Sequence, residues 1–302
     1  MKIAVVGAAG MLGAVTVREW RDHGHDVTAL TRADLDVTNA HRVHEVLVSL
    51  APDVIINCTA YNRVDDAEDD ATTAFAVNAW AVKAMARAAA AAEAVFVHYS
   101  TDFVFDGETD RPYTEDDAPN PQSAYGISKL MGEWFALEVG RPDVSPIEVG
   151  RPGFEGRQDE RQDRQYVLRV ESLFGGNASR STVDSMLHKF ATGKPVHAFT
   201  DRTVSPSHVA DVARATRELV ERQAPGGVYH CVNTGMATWL EVAERLREWS
   251  GHTGAAIHPT RAADVRLKAR RPVFAAMSNA KLVAQAIPMP TWQDAVRTHL
   301  DR

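Results

Sequence analysis

The sequence predicts an α/β protein in which a doubly wound parallel sheet carries a smaller α/β lobe on its C-terminal side. Short apolar runs alternate with helix-length segments through the first half of the chain, and glycines follow the first apolar run directly. Hydrophobic residues make up 45% of the 302 residues, which is enough for a substantial core. Because Cys58 and Cys231 lie far apart in the sequence, we expect neither a disulfide framework nor a CxxC metal site.

The first half of the chain predicts the sheet strand by strand. Strands are expected at Lys2 to Val6, Val27 to Leu30, Val54 to Cys58, Val95 to Tyr99 and Tyr166 to Val170. Helices are expected at Met11 to Arg21, from the cap Thr38 through Ser49, at Thr72 to Ala94 and at Ser123 to Val139. This alternation is the pattern of βαβ units, whose strands pair in parallel.

The second half is less regular and predicts the smaller lobe. The segment Arg141 to Gln165 combines prolines with charges of both signs, so we expect a solvated loop. Helices are expected at Thr182 to Ala191, at Val209 to Arg222, from the cap Thr238 to Trp249 and from Trp292. A strand is expected at Val228 to Val232, and Ser205-Pro206 is expected to open a helix. We therefore predict a cofactor-binding domain at residues 1–170, to which 207–234 return, and a substrate lobe at 171–206 and 235–302.

Charge and hydropathy limit the partners that we expect. The formal net charge is −7 at pH 7, which does not favour a nucleic-acid partner. No apolar run is long enough to span a bilayer, and the first residues lack the apolar length and cleavage site of a signal peptide. These observations predict a cytoplasmic protein without a membrane partner.

The segment GAAGMLG, from Gly7 to Gly13, lies between the first strand and the first helix. Gly7 allows the turn, Gly10 allows the backbone to approach a pyrophosphate, and Gly13 allows the helix to pack closely. The N–H groups at the start of that helix can bind the phosphates. The pattern predicts a dinucleotide-binding Rossmann domain; the alternative is a strand, turn and helix whose glycines serve packing alone.

The end of the second strand bears on the choice of cofactor. An acidic residue at that position binds the adenosine ribose of NAD, whereas this chain has Thr31-Arg32. An arginine there suits the 2′-phosphate of NADPH, because its planar guanidinium pairs with phosphate oxygens. Since Asp34 and Asp36 follow closely, the sequence favours NADPH and leaves NADH open.

Three residues suggest acid–base chemistry at the carboxyl edge of the sheet. Tyr125 and Lys129 are four residues apart on a predicted helix and therefore share one face. An ammonium beside a phenol lowers the pKa of that phenol and suits it to proton transfer. Thr101 follows the fourth strand, where its hydroxyl can bind a substrate carbonyl.

No metal site is expected. The 12 histidines include no HExxH pattern. The acidic run from Asp65 to Asp70 could in principle bind a cation, but carboxylates are also favoured at the start of a helix. We interpret the run as a solvated helix start.

Five segments carry a resemblance that extends from Met1 to about Leu300. They are GAAGMLG, CTAYNRVDDAE (Cys58 to Glu68), VHYSTDFVFDG (Val97 to Gly107), YGISK (Tyr125 to Lys129) and ARRPVFAAMSNAKL (Ala269 to Leu282). The chain resembles the dTDP-4-dehydrorhamnose reductases, a family of extended short-chain dehydrogenase/reductases. The resemblance implies a bilobal fold, with an NADPH-binding Rossmann domain and a small C-terminal substrate lobe. It also implies reduction of the 4-keto group of a nucleotide-linked, dTDP-type 6-deoxyhexose.

The resemblance also implies roles for matching residues. Tyr125 would donate the proton, Lys129 would hold the nicotinamide ribose and tune Tyr125, and Thr101 would bind the keto oxygen. Together with Gly7, Gly13 and Arg32 from the motifs above, the cofactor contacts would be Gly10, Met11, Leu12, Thr31, Asp36, Val37, Ala60, Tyr61, Asn62 and Tyr99. Asp102 and Arg271 would lie near the sugar nucleotide.

Three departures from the family concern the sugar pocket. Phe103 stands where the family usually has tyrosine, and Glu171-Ser172 ends a run in which the family often reads Arg-Thr-Ser-Trp. The segment Arg141 to Gln165 is also longer than the family's connection. We therefore expect Phe103 and Ser172 to line a sugar pocket unlike that of a rhamnose-pathway reductase.

Two other functions stay open from the sequence. One is an NADP-binding regulatory protein similar to the regulatory subunit of methionine adenosyltransferase. The other is a sugar-nucleotide epimerase or dehydratase, which Asp102 would suit and Phe103 would not. A homodimer is also compatible with the sequence.

Overall fold

The computed structural model describes residues 1–138, 164–176 and 181–301. Most of the segment predicted as a solvated loop, 141–163, lies outside the described residues. The strands are β1 (Lys2–Val6), β2 (Asp26–Leu30), β3 (Val54–Asn57), β4 (Val95–Thr101), β5 (Gln165–Val170), β6 (Leu173–Phe174), β7 (Val196–Phe199), β8 (Thr203–Val204), β9 (Ser207–His208), β10 (Gly227–His230), β11 (Ala237–Thr238) and β12 (Ile257–Thr260). The helices are α1 (Met11–Asp22), α2 (Ala40–Leu50), α3 (Ala71–Phe75), α4 (Ala81–Ala91), α5 (Ala124–Glu138), α6 (Thr182–Ala191), α7 (Val209–Glu221), α8 (Trp239–Trp249), α9 (Ala280–Ala284) and α10 (Trp292–Leu300).

The main sheet has six parallel strands in the order β10-β5-β4-β3-β1-β2. The strand order reverses between β1 and β3, and ligands of such sheets bind beyond the carboxyl ends of the strands at that reversal. The turns that follow β1, β3, β4 and β5 therefore meet at one edge. The predicted α/β fold with a doubly wound parallel sheet is confirmed.

Each face of the sheet has its own apolar layer, because side chains alternate along a strand. Ile3 and Val5 of β1 pack with α1 and α7, whereas Ala4 and Val6 pack with α2 and α4. A separate cluster joins α6, α8 and α10, with Phe174 among its fully buried members. β10 extends the main sheet beside β5. The division into two domains at the predicted boundaries stays a prediction.

Three predicted boundaries are wrong. Thr38 does not cap α2, because its N–H and hydroxyl both donate to Asp36 Oδ1, and Asn39 provides the cap instead. Ser205-Pro206 does not open a helix, because β9 intervenes and His208 caps α7. The helix expected at 72–94 contains a π-helical turn, Ala76–Trp80, and ends at Ala91.

The cap predicted for α8 is confirmed. Thr238 Oγ1 accepts from Glu241 N while the Glu241 carboxylate accepts from Thr238 N, which is a complete capping box. Among the residues that the structure describes, no helix is both long and apolar enough to cross a membrane.

Candidate active site

A cleft of about 660 Å³ lies at the carboxyl edge of the main sheet. Its walls come from the turns after β1, β3, β4 and β5, from α5 and from the C-terminal part of the chain. The predicted site residues that line it are Gly10, Met11, Leu12, Ala60, Asn62, Tyr99, Thr101, Asp102, Phe103, Tyr125, Lys129, Ser172 and Arg271. The fold therefore brings residues far apart in sequence to one cavity.

The glycine segment combines packing with an open helix start. Gly7 has a φ of +85°, and a Cβ there would lie 2.9 Å from the Cys58 carbonyl carbon. A Cβ on Gly13 would lie 2.3 Å from the Gly7 oxygen, so α1 can approach the turn only with glycine there. Gly10 is the N-cap of α1 and provides no side-chain cap to the first N–H groups. Because Gly10, Met11 and Leu12 line the cleft, donors at the start of α1 are available to an anionic group there.

The residues after β2 lie outside the cleft lining. Thr31 N and Oγ1 both donate to Asp34 Oδ2, at 2.9 and 2.7 Å. Asp36 Oδ1 accepts from Thr38, so both carboxylates are already engaged by neighbouring residues. These hydrogen bonds lower the pKa values of Asp34 and Asp36. Arg32 is exposed, as is Asp36, and Val37 is half-buried beside them.

Tyr61 is buried but does not line the cleft. Its N–H donates to Asn78 Oδ1 at 2.8 Å, and Asn78 Nδ2 donates back to the Tyr61 carbonyl at 3.0 Å. The same amide donates to Ser128 Oγ on α5. Asn78 thus ties the segment that carries Ala60 and Asn62 to the helix that carries Tyr125.

Thr101, Tyr125 and Lys129 meet at the middle of the cleft. The Thr101 side chain lies near enough to the Tyr125 hydroxyl to lower the pKa of that phenol, and the Tyr125 ring contacts the Phe103 ring edge to face at a centroid distance of 5.4 Å. Lys129 Nζ donates to the Tyr99 carbonyl at 2.5 Å, and burial lowers the pKa of Lys129 to about 8. The three groups predicted to act on a carbonyl are therefore neighbours in the fold.

The expected tuning of Tyr125 by Lys129 is wrong for this structure. Burial raises the pKa of Tyr125 above its ordinary value, the Asp102 charge adds to the increase, and Lys129 does not contribute to the shift. The reason is that the Lys129 ammonium is directed to the backbone of β4 through its bond with Tyr99. The phenol is thus held protonated.

A buried histidine beneath Lys129 was missed by the sequence analysis. His98 Nδ1 is 3.0 Å from Asn57 Nδ2, and His98 Nε2 is 3.5 Å from Lys129 Nζ. Burial, with the neighbouring Lys129 charge, lowers the pKa of His98 well below its ordinary value, so the ring is neutral. An isolated histidine within a strand gave no local signal of this contact.

The far end of the cleft contains a group of charged residues around Asp102. Asp102 Oδ1 accepts from Thr101 Oγ1 at 2.9 Å, and Arg202 lines the same wall. Ser172 also lines the wall, in the left-handed conformation with a φ of +45°. Arg202 was not foreseen, and Glu171 was noticed only as a departure from the family. Neither residue stands in a motif that points to this cleft.

Arg271 makes a two-pronged ion pair with the acidic run. Its Nη1 and Nη2 donate to Asp65 Oδ1 and Oδ2, at 2.9 and 2.7 Å, and the pair holds the pKa of Asp65 well below its usual range. Lys268 pairs with Asp69, and Asp70 caps α3. The interpretation as a solvated helix start thus holds for Asp70, whereas Asp65 joins the acidic run to the C-terminal part of the chain. No cluster suited to a metal ion occurs in residues 1–138, 164–176 and 181–301.

Comparison with known proteins gives matches along nearly the whole chain. A family model described as the RmlD substrate binding domain matches residues 1–144 and 152–302. The chain is 32% identical to a probable dTDP-4,6-dihydroxy-2-methyloxan-3-one 4-ketoreductase of Streptomyces antibioticus, over 98% of this chain and 94% of the relative. It is 31% identical to a dTDP-4-dehydrorhamnose reductase of Streptomyces griseus, over 97% of this chain and 90% of the relative. A crystal structure of the dTDP-4-dehydrorhamnose reductase of Bacillus anthracis in complex with NADP superimposes with a TM-score of 0.87, at 25% identity, over 99% and 98% of the two chains.

Proposed function

Because the chain belongs to the RmlD substrate binding domain family, that of the dTDP-4-dehydrorhamnose reductases, we propose that its cleft reduces the 4-keto group of a nucleotide-linked 4-keto-6-deoxyhexose. The protein is an NADPH-dependent oxidoreductase of the extended short-chain dehydrogenase/reductase type. The resemblance seen in the sequence motifs is confirmed by this family membership. The nucleotide sugar is the substrate class of the family.

One observation supports the assignment of the reaction to this cleft. Thr101, Tyr125 and Lys129 lie on one wall of a cavity whose other end is the open start of α1 at Gly10. A cofactor that binds α1 with its diphosphate would extend toward Tyr125 along this cavity. The arrangement suits a reductase in which one cavity holds both cofactor and substrate.

The residues at the cofactor end suit NADPH. The first N–H groups of α1 would hold the diphosphate, and the exposed Arg32 would pair with the 2′-phosphate. Asp34 and Asp36 already accept hydrogen bonds from Thr31 and Thr38, which leaves them less suited to a ribose diol. When bound, NADPH supplies the hydride for the reduction.

The chain's own groups would stabilise the charge that develops on the keto oxygen. Thr101 Oγ1, which donates its one proton to Asp102 Oδ1 in this structure, would turn that proton to the keto oxygen when the substrate binds, and the Tyr125 hydroxyl would transfer its own proton to the same oxygen. The raised pKa of Tyr125 keeps the phenol protonated until the oxygen becomes basic. Lys129, as an ammonium held against the Tyr99 carbonyl, would bind the nicotinamide ribose hydroxyls. The phenolate that remains would regain its proton from solvent.

We assign the opposite end of the cleft to the sugar nucleotide. Asp102, Phe103, Ser172 and Arg271 line it, and Phe103 and Ser172 would shape the sugar pocket. Its wall at Ser172 carries a small hydroxyl, so the preferred sugar would differ from that of a rhamnose-pathway enzyme. We place the reaction in the cytoplasm, where Cys58 and Cys231 would remain free thiols.

The test is the loss of nicotinamide absorbance when the protein and NADPH meet a panel of nucleotide 4-keto-6-deoxyhexoses. We expect oxidation of NADPH with at least one of these sugars. The matched control is the same nucleotide sugar with a hydroxyl at C4, which should leave NADPH unchanged. Tight NADPH binding without oxidation across the panel would contradict the proposal and favour a binding protein.

A further inference from the structure

Two buried carboxylic acids directly follow neighbouring strands at the carboxyl edge of the main sheet, one of them lining the cleft and the other next to it in the chain. Thr101 ends β4 and Val170 ends β5, and these two residues are paired in the sheet register. Asp102 and Glu171 are the next residues of the two strands, so the register places their carboxyl groups on the same edge. Both are buried, with exposed fractions of 5% for Asp102 and 1% for Glu171.

The two carboxyl groups differ in their hydrogen bonds. Asp102 Oδ1 accepts from Thr101 Oγ1 at 2.9 Å, beside the reacting groups. Glu171 Oε2 accepts from Ser205 N at 2.7 Å, whereas Glu171 Oε1 is buried and has no hydrogen-bond partner among the described residues. A buried carboxylate oxygen without a donor is costly, but a protonated acid carries less charge to bury.

Arg202 is the cation whose charge acts on both acids. Its Nε donates to the Pro272 carbonyl at 3.3 Å, and the side chain lines the cleft. The other charged or titratable groups around the cluster are Tyr125, whose pKa the Asp102 charge raises, and Asp201 and Arg271, whose charges act on the pKa of Arg202. One guanidinium charge therefore lowers the pKa values of two buried carboxyl groups. Like charges that share a desolvated site do not both ionise, so the pair should hold one proton.

We propose that Asp102 and Glu171 form an acid pair that holds a single proton on Glu171, and that Glu171 is a positioning residue that keeps Asp102 ionised toward a hydroxyl of the substrate. The role of Asp102 in this pair rests on the proposed function, whereas the shared proton does not. The proton would reside on Glu171 because its Oε1 lacks a partner, while Asp102 has the Thr101 hydroxyl. The ionised Asp102 would then accept a hydrogen bond from a sugar hydroxyl next to the keto group.

The pKa directions agree with this distribution of charge. Burial, with the neighbouring Asp102, raises the pKa of Glu171 well above its ordinary value. Burial also raises the pKa of Asp102, to about 6, while the Thr101 hydrogen bond and Arg202 oppose that increase. Asp102 is thus ionised above about pH 6, while Glu171 keeps its proton to a pH well above the ordinary range of a glutamate. Below about pH 6 both acids are protonated, and the acceptor for the substrate hydroxyl is lost.

The proton can be observed without any substrate. At pH 7.5 ordinary carboxyl groups are ionised, so an infrared band of a protonated carboxylic acid reports a buried acid. We expect this band in the wild type, its loss in Glu171→Gln, and its retention in the matched control Glu244→Gln, which alters an exposed glutamate. The glutamine keeps an oxygen for Ser205 N–H. A band that persists in Glu171→Gln, or is absent from the wild type, would overturn the proposal.

Coupling between the two acids gives a second readout, which also serves if Glu171→Gln does not fold. Asp102→Asn removes the like charge, so the Glu171 band should titrate at a pH lower by about one unit or more. An unchanged titration in Asp102→Asn would show that the acids are independent.

The enzymatic readout separates this inference from the proposed function. In the wild type, KM for the sugar nucleotide should rise about tenfold for each pH unit below about pH 6, and Asp102→Asn should abolish that dependence. The same acid dependence in Asp102→Asn would contradict the role given to Asp102. If no sugar is turned over, the proposed function fails while the infrared results still decide whether the pair shares a proton.

Discussion

The two ends of the cleft are built from different kinds of sequence. At the end that we propose for the cofactor and the reaction, each group comes from a short local pattern, such as the segment Gly7 to Gly13 or the pair Tyr125 and Lys129. At the substrate end, Asp102, Ser172, Arg202 and Arg271 come from four separate stretches. A local pattern can be recognised without the fold, whereas residues that converge only in three dimensions cannot. Short sequence patterns therefore indicate the reaction type of the cleft more directly than they indicate its preferred sugar.

The largest expected effect is at the catalytic end. Tyr125→Phe should lower kcat by on the order of 10²–10⁴-fold, because general acid catalysis contributes about that factor. NADPH affinity should stay near that of the wild type, since the phenol matters only when charge develops on the substrate oxygen. Steady-state kinetics and fluorescence titration with NADPH measure the two properties. Tyr229→Phe, which removes a hydroxyl bonded to the Pro225 carbonyl instead, is the control. A near-normal kcat in Tyr125→Phe would show that another group donates the proton.

Burial of the Lys129 ammonium should lower the free energy of unfolding by an amount that depends on pH. The pKa of Lys129 is about 8 in the folded protein, against 10.5 for an ordinary lysine, so the unfolded chain binds more protons between these two pH values. Its contribution to stability therefore rises with pH through this window, by on the order of 3 kcal/mol in total. The measurement is the free energy of unfolding of the wild type minus that of Lys129→Met, from pH 7 to 10.5. A difference that stays flat would mean that the ammonium is not desolvated.

A smaller effect is expected on the preference for NADPH over NADH when Arg32 is replaced. Arg32→Asp should shift the ratio of kcat/KM for NADPH and NADH toward NADH by about 10- to 100-fold, because a charge-assisted hydrogen bond contributes about 1.5–3 kcal/mol. Arg18→Asp introduces the same charge change at another exposed arginine and should leave the ratio unchanged. Equal efficiency of the wild type with both cofactors would remove the argument from Arg32.

The smallest expected effect concerns the sugar wall. Ser172→Trp should raise KM for the natural sugar nucleotide about tenfold, because an indole would overfill the pocket at a cost of about 1–3 kcal/mol. NADPH affinity should not change, and Ser172→Ala should have little effect on either constant. If Ser172→Trp leaves KM unchanged, and the wild type turns over the rhamnose-pathway sugar as well as any other, the pocket does not differ as proposed.

Much of the fold could be predicted because its signals are local. The apolar runs and the glycine turn located the first strands within a residue or two, and Thr238 was predicted as the cap of α8. Errors arose where two neighbouring polar residues could serve as the cap, as with Thr38 and Asn39. The π-helical turn before α4 was also not predicted from the sequence, because an alanine-rich run favours a continuous helix.

The candidate site likewise contains residues that the sequence predicts and residues that only the fold reveals. That Thr101, Tyr125 and Lys129 line one cleft could be predicted from residue type and spacing, whereas their catalytic roles stay predictions. Arg202 could not, because it follows β7 in the second half of the chain and reaches the cleft only through the fold. The pKa of Tyr125 was also beyond the sequence, since it depends on burial and on where the Lys129 ammonium is directed.

Transfer of deuterium from labelled NADPH to the sugar tests whether this cleft is that of a 4-ketoreductase. After incubation of the wild type with NADPH deuterated at the reactive nicotinamide position and the best nucleotide 4-keto-6-deoxyhexose, the product would be analysed by NMR. We expect one deuterium at C4 of the sugar and a new hydroxyl there, with almost no product from Tyr125→Phe. A sugar without deuterium at C4, or with solvent hydrogen exchanged at a neighbouring carbon and NADPH unconsumed, would contradict the reductase function and indicate an epimerase or a binding protein.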